Sequence, residues 1–90
     1  MVGFMKILLH KAFEKKYVKA PPNIKKKFKI KRDLFLRDQF HPLLKTHSLE
    51  GDRKGEWSIN ITGDWRALFV YLSKDNTRFI DLDTHGNLYK

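Results

Sequence analysis

Hydrophobic positions along this chain change their spacing twice, and the changes divide it into a strand, two helices and a set of hairpins. Residues 4–10 (FMKILLH) are apolar with one lysine and predict a short strand. From Ala12 to Ala20 the spacing becomes helical, with Phe13, Tyr17 and Ala20 on one side. Pro21-Pro22 must break that helix, because proline disfavours helical geometry in the residue before it. A second, longer helix is expected from about Pro22 or Asn23 to about Gln39, ended by His41-Pro42. Its apolar stripe is Ile24, Phe28, Leu34 and Phe35, and proline is compatible with its first turn.

From Trp57 the period falls to two. Trp57 to Thr62 alternates apolar and polar residues, as a half-buried strand does. Gly63-Asp64 signals a hairpin turn, Trp65 to Leu72 is a nearly continuous apolar strand broken by Arg66, and Lys74-Asp75-Asn76 is the next turn. Thr77 to Asp83 is the last strand, and Thr84 to Lys90 is a tail. The fold class is therefore α+β. An N-terminal strand and a two-helix hairpin precede a three-stranded antiparallel meander, with the helices on one face and the other face open.

The register of the first hairpin decides where Arg66 points. A two-residue loop pairs Thr62 with Trp65 and turns Arg66 into the apolar core, which is costly for an unpaired guanidinium. A three-residue loop pairs Asn60 with Arg66. Ser58, Asn60 and Arg66 then share the open face, while Trp57, Ile59, Ile61, Trp65, Ala67, Phe69 and Tyr71 face the helices. One residue of slip reverses every side chain. The second register separates polar from apolar better and is the expected one.

Length and composition narrow the function classes. Ninety residues leave room for one domain, spanning 1–90. A chain this short buries about 60–65% of its unfolded surface, so its core is thin. Seven Phe, three Tyr and two Trp suit such a core. There is no cysteine, which removes disulfides, zinc–thiolate sites and thiol catalysis. The apolar run Phe4 to Leu9 is too short for a membrane span and lacks a signal-peptide cleavage site, so a soluble cytoplasmic protein is expected. Residues 1–4 read as an optional extension before Met5.

Charge changes the picture most. Nineteen Lys and Arg against ten Asp and Glu give +9, a field that draws polyanions. Nucleic acid is the first candidate, an acidic protein the second and an anionic membrane surface the third. Between Lys11 and Arg32 lie ten basic residues and one acid, Glu14. They form either a solvated helix face or a face that meets phosphates or an acidic partner segment.

Three segments carry a resemblance: Leu49-Glu-Gly-Asp-Arg-Lys-Gly-Glu-Trp-Ser-Ile, Gly63-Asp-Trp-Arg-Ala-Leu-Phe and Ile80-Asp-Leu-Asp-Thr-His-Gly. Together they resemble the RelE/ParE toxin superfamily, nearest in arrangement to its HigB-like and YafQ-like ribonucleases. The pattern covers Leu49 to His85, and the N-terminal half agrees in layout. The resemblance implies a RelE-like fold and a type II toxin, silenced by a cognate antitoxin, that cleaves messenger RNA on the ribosome. Arg66 matches the arginine at the scissile phosphate, and His85 the C-terminal histidine that looks like the proton donor of the YafQ-like branch. His47 and Asp64 match further catalytic positions of that branch. Ser58 and Asn60 stand where YafQ-like enzymes carry an Asp and a His, and the chain continues past His85 to Lys90.

Metal-free RNA cleavage turns the 2′-hydroxyl on the next phosphate. It needs a base near that hydroxyl, an acid near the leaving 5′-oxygen and a cation on the phosphorane. Arg66 suits the phosphate, since a planar fork meets two oxygens. His85 suits the acid, because the ordinary histidine pKa of about 6.5 lies near working pH. Asp64 or His47 is base or orienter. Lys54 and Arg53 are expected on backbone phosphates, and Asn60 and Ser58 on sugar or base edges. No cofactor, membrane partner or metal is expected, since helical His-x-x-x-His spacing is missing. His10 and His41 are read as structural, and Trp57 and Trp65 as core aromatics. Two other functions remain open: a ParE-like binder that poisons DNA gyrase, and a non-catalytic basic binding module.

Overall fold

The computed structural model describes residues 5–89, so Phe4, the extension ahead of Met5 and Lys90 lie outside the described residues. Strand β1 is Lys6–Leu9. Helix α1, Lys11–Lys19, begins where His10 Nδ1 accepts the Ala12 N–H at 3.0 Å. His10 thus caps a helix in place of ending the strand. Ala20 leaves the helix extended (φ −69°, ψ 151°), as the residue before a proline must. Helix α2, Pro22–Arg37, then starts with proline in its first turn. It stops two residues before Gln39, where Asp38 turns extended and its Oδ1 accepts the Phe40 N–H at 3.2 Å. A 3₁₀ turn at Pro42–Leu44 follows, capped by His41 Nδ1 on the Leu43 N–H at 3.1 Å.

The remaining elements are β2 (His47–Ser48), a 3₁₀ turn at Gly51–Arg53, β3 (Trp57–Asn60), β4 (Trp65–Ser73), β5 (Asn76–Thr84) and α3 (His85–Leu88). The sheet order is β1-β5-β4-β3-β2, with β1 parallel to β5 and the other pairs antiparallel. The α+β class and the meander are as expected. The sheet has five strands where four were expected, because a two-residue β2 is too short to show a period.

Asn60 pairs with Arg66, Ile59 with Ala67 and Trp57 with Phe69, the register that polar–apolar separation favours. One face accordingly packs on the helices. Phe13, Ile24, Phe28 and Phe35 meet Ile59, Ala67, Phe69, Phe79 and Leu82 in one buried cluster. Phe28 lies 5.1 Å from Phe13 and 5.5 Å from Phe79, and Phe35 lies 5.0 Å from Phe69, ring centre to ring centre. Tilted and edge-on contacts of this kind add attraction beyond area burial.

The opposite face is not open. Leu49 and Leu88, with Ile80 beside them, close over Leu68, so the segment before β3 and helix α3 form a second small core. Ser58 is buried beneath them with none of its surface exposed. The expectation that it touches RNA is therefore corrected, since the hydroxyl has no accessible surface. Its Oγ has no hydrogen-bond partner among the described residues. A buried hydroxyl without a partner forfeits its hydration for nothing. Ser58→Ala is therefore expected to stabilise the fold by about 1 kcal/mol. In a domain of this size that raises Tm by roughly 4–8 °C. A lower Tm in a thermal melt would contradict this.

Candidate active site

What the second core leaves uncovered on that face is a cleft of about 510 Å³. Lys45, His47, Asn60, Arg66 and His85 line it, with Leu49 and Tyr89 as walls. The sheet brings these residues together: Asn60 and Arg66 are opposite one another on β3 and β4, and His47 pairs with Ser58 at the edge. His85 opens α3 directly after β5.

Arg66 is fixed by its own hairpin. Its Nη1 donates to the carbonyl oxygens of Thr62 (3.0 Å), Gly63 (3.2 Å) and Trp65 (3.1 Å). One arm of the fork is thus anchored to backbone, and no carboxylate pairs with it among the described residues. Its neighbour across the sheet is Asp83, a natural partner. That carboxylate is already engaged by Lys16 Nζ at 3.2 Å, Asn87 Nδ2 at 2.9 Å and the Thr84 N–H at 2.8 Å. Lys16 also reaches Asp81 at 2.8 Å. Arg66 is therefore left without an anionic partner among the described residues.

Opposed effects act on this network. Burial pushes the Asp83 carboxyl up, but the Asn87 amide, the Thr84 N–H and Lys16 outweigh it and hold the group below the ordinary carboxylate range. Burial likewise works against the charge on Lys16, and the bonds to Asp81 and Asp83 outweigh it and raise its pKa. A carboxyl depressed in the folded state stabilises the fold above its unfolded pKa and loses that contribution as pH falls through the folded value. The Tm advantage of the native chain over Asp83→Asn is therefore expected near neutral pH and should close in acid, below the ordinary carboxylate range. A gap that persists unchanged into strong acid would contradict it.

The two histidines are held differently. His85 donates its backbone N–H to the Asp64 carbonyl at 2.8 Å, and its ring centre lies 4.6 Å from that of Tyr89. The Thr84 hydroxyl caps its helix by accepting the Asn87 N–H at 3.3 Å. His47 Nδ1 lies 2.8 Å from the Lys45 carbonyl. A carbonyl only accepts, so Nδ1 carries the hydrogen and Nε2 is left with a lone pair in the neutral ring. The carbonyl belongs to the only non-glycine residue with positive φ among the described residues, Lys45 at φ 48°. That left-handed turn costs roughly 1–2 kcal/mol in an L-residue. Such strain concentrates at functional sites.

Of the residues singled out in the sequence, His47, Asn60, Arg66 and His85 line the cleft and the others do not. Asp64 is exposed in the turn and serves through its carbonyl on α3. Arg53 pairs with Glu56 at 2.8 Å and lies 4.0 Å from Asp81. Lys54 is exposed outside the cleft. Arg53 instead lines a neighbouring concavity of about 630 Å³ with Glu50, Asp52 and Glu56, whose acidic rim suits a polyanion less well. Lys45 and Tyr89 were missed. Nothing local marks a lysine for a left-handed turn, and Tyr89 follows a helix of four residues that is too short to show a period.

No family model matches the chain. A curated relative, Endoribonuclease HigB of Proteus vulgaris, is 42% identical over 33 residues, which is 37% of this chain. That match spans only 36% of the relative's length. Among solved structures, YafQ from E. coli superimposes with a TM-score of 0.79 at 21% identity, covering 96% of this chain and 99% of the other. YafQ in the E. coli DinJ-YafQ toxin-antitoxin complex gives 0.70 at 22% identity, covering 96% and 98%. The YoeB/ParE toxin from Agrobacterium tumefaciens gives 0.74 at 24% identity, covering 90% and 99%. The chain thus has the RelE-like toxin fold over nearly its whole length.

Proposed function

We propose that this chain is the toxin of a type II toxin–antitoxin pair and cuts messenger RNA on the ribosome as a metal-free endoribonuclease. One observation carries the reading: two imidazoles and an arginine without a carboxylate partner line one cleft. The relative named an endoribonuclease and the neighbour solved in a toxin-antitoxin complex support it.

In the proposed reaction His47 Nε2 takes the proton of the 2′-hydroxyl, whose oxygen attacks the adjacent phosphorus. The bond from phosphorus to the 5′-oxygen breaks, and His85 gives that oxygen its proton. The products are a 2′,3′-cyclic phosphate and a 5′-hydroxyl. The free arm of Arg66 lies against the phosphorane, where charge is greatest. Lys45 adds a second cation, and Tyr89 holds the His85 ring. An antitoxin with an acidic segment would oppose the +9 charge, and the reading places the protein in the cytoplasm. Among the described residues no helix is long and apolar enough to cross a membrane.

The likeness to a YoeB/ParE toxin keeps gyrase poisoning as the rival. A translating extract given the chain separates them. Messenger RNA should be cut while gyrase continues to supercoil plasmid, and intact message with blocked gyrase would overturn the proposal.

A further inference from the structure

On the helix side of the β3–β4 hairpin lies another cleft, of about 390 Å³. Lys27 and Lys31 line it from α2, with Leu43 and the hairpin residues Thr62 and Gly63. The two lysines are four residues apart, so they stand on one face of the helix. Neither has an acidic partner within 4.0 Å among the described residues, and no acidic side chain lines the cleft. Three cations are neutralised internally, Lys16 by Asp81 and Asp83, Arg32 by Asp33, and Arg53 by Glu56, and none of these three lines the cleft. Asn60 lines both this cleft and the one that holds Arg66. The two concavities therefore share one residue, near the end of the hairpin.

We infer that this second cleft is a subsite for the strand being cut, with Lys27 and Lys31 holding the phosphates next to the scissile one. The inference rests on the proposed ribonuclease reading and extends it. A strand seated on Arg66 passes Asn60, whose amide offers a donor and an acceptor to a sugar or base edge. It then meets two compact point charges, which bind phosphate without demanding one sequence or one orientation. Leu43, 62% exposed, gives apolar surface beside them. An acidic protein segment is the less suitable occupant, because the site leads directly into the cutting cleft and offers a single exposed apolar side chain.

The test measures binding of a single-stranded RNA made uncleavable by 2′-methoxy groups, over a range of salt. The double variant Lys27→Gln/Lys31→Gln should lower the slope of log affinity against log salt by about 1.4, from about 0.7 for each phosphate contact on a single strand. Affinity at moderate salt should fall on the order of tenfold. Lys11→Gln/Lys15→Gln removes the same charge from an exposed part of α1 outside both clefts and serves as the matched control. It should leave the slope nearly unchanged. Extending a minimal dinucleotide on one side only should restore the difference between the native chain and the Lys27/Lys31 variant. Equal slopes for both double variants, or no loss in the first, overturn the subsite while leaving the ribonuclease reading intact. Failure of the native chain to bind the RNA at all also overturns the subsite, while cutting of message in the translating extract tests the ribonuclease reading separately.

Discussion

Arg66→Ala is expected to slow RNA cleavage about 100- to 1,000-fold, the usual cost of deleting one preorganised donor to a charged transition state. The size follows from how Arg66 is held. Nη1 is fixed on three carbonyl oxygens of the hairpin, so the rest of the fork is aimed before substrate arrives. Lys16 and Asn87 occupy Asp83, the carboxylate that would otherwise neutralise it. Little reorganisation is then needed at the moment of reaction. The carbonyls released by the substitution lie at a hairpin end where water can replace the guanidinium, so Tm should shift by only a few degrees. Arg66→Lys keeps the charge but loses the fork, and should recover only part of the rate. Single-turnover cleavage beside a thermal melt checks both statements. A full-rate Arg66→Ala would remove the phosphate-binding role.

His85→Ala is expected to cost about 100- to 10,000-fold, the range for loss of a general acid. Its particular signature is in the pH profile. An acid–base pair gives a bell, in which the acid must be protonated and the base must not. Removing the acid should flatten the alkaline limb, whereas His47→Ala should flatten the acid limb. A leaving group that needs no proton would rescue His85→Ala but leave His47→Ala impaired. Lost activity with an unchanged bell would mean that the His85 ring serves only to hold Tyr89 in place.

The sequence was most legible where one local choice had large consequences. Arg66 cannot face the aromatic core without a partner, and that alone selected the register with Asn60. The helical stripe was legible for a similar reason, since Ile24, Phe28 and Phe35 repeat at helix spacing and are all buried. Ser58 was misjudged because alternation shows which face a residue is on and not what covers that face. Its lid is Leu49 and Leu88, which are far apart in the chain and meet only in the fold. The strand of His47–Ser48 and the helix of His85–Leu88 are shorter than any period that would announce them. The cleft inherits these gaps. Asn60 and Arg66 followed from the hairpin register and His47 and His85 from the family resemblance, while Lys45 and Tyr89 stand on turns set by tertiary packing. Asp64 shows the converse error, since a functional residue type in a turn contributes its carbonyl to α3 and leaves its side chain outside the cleft.

All of the chemistry assigned to the cleft depends on the 2′-hydroxyl of the RNA itself being the nucleophile. Ribosomes paused on a message with a single 2′-deoxy nucleotide at the mapped cut test this directly. The all-ribose message should be cut to a 2′,3′-cyclic phosphate and a 5′-hydroxyl, and the substituted message should remain whole at that position. Cutting of the deoxy message at an undiminished rate, or ends bearing a 3′-hydroxyl and a 5′-phosphate, would contradict it.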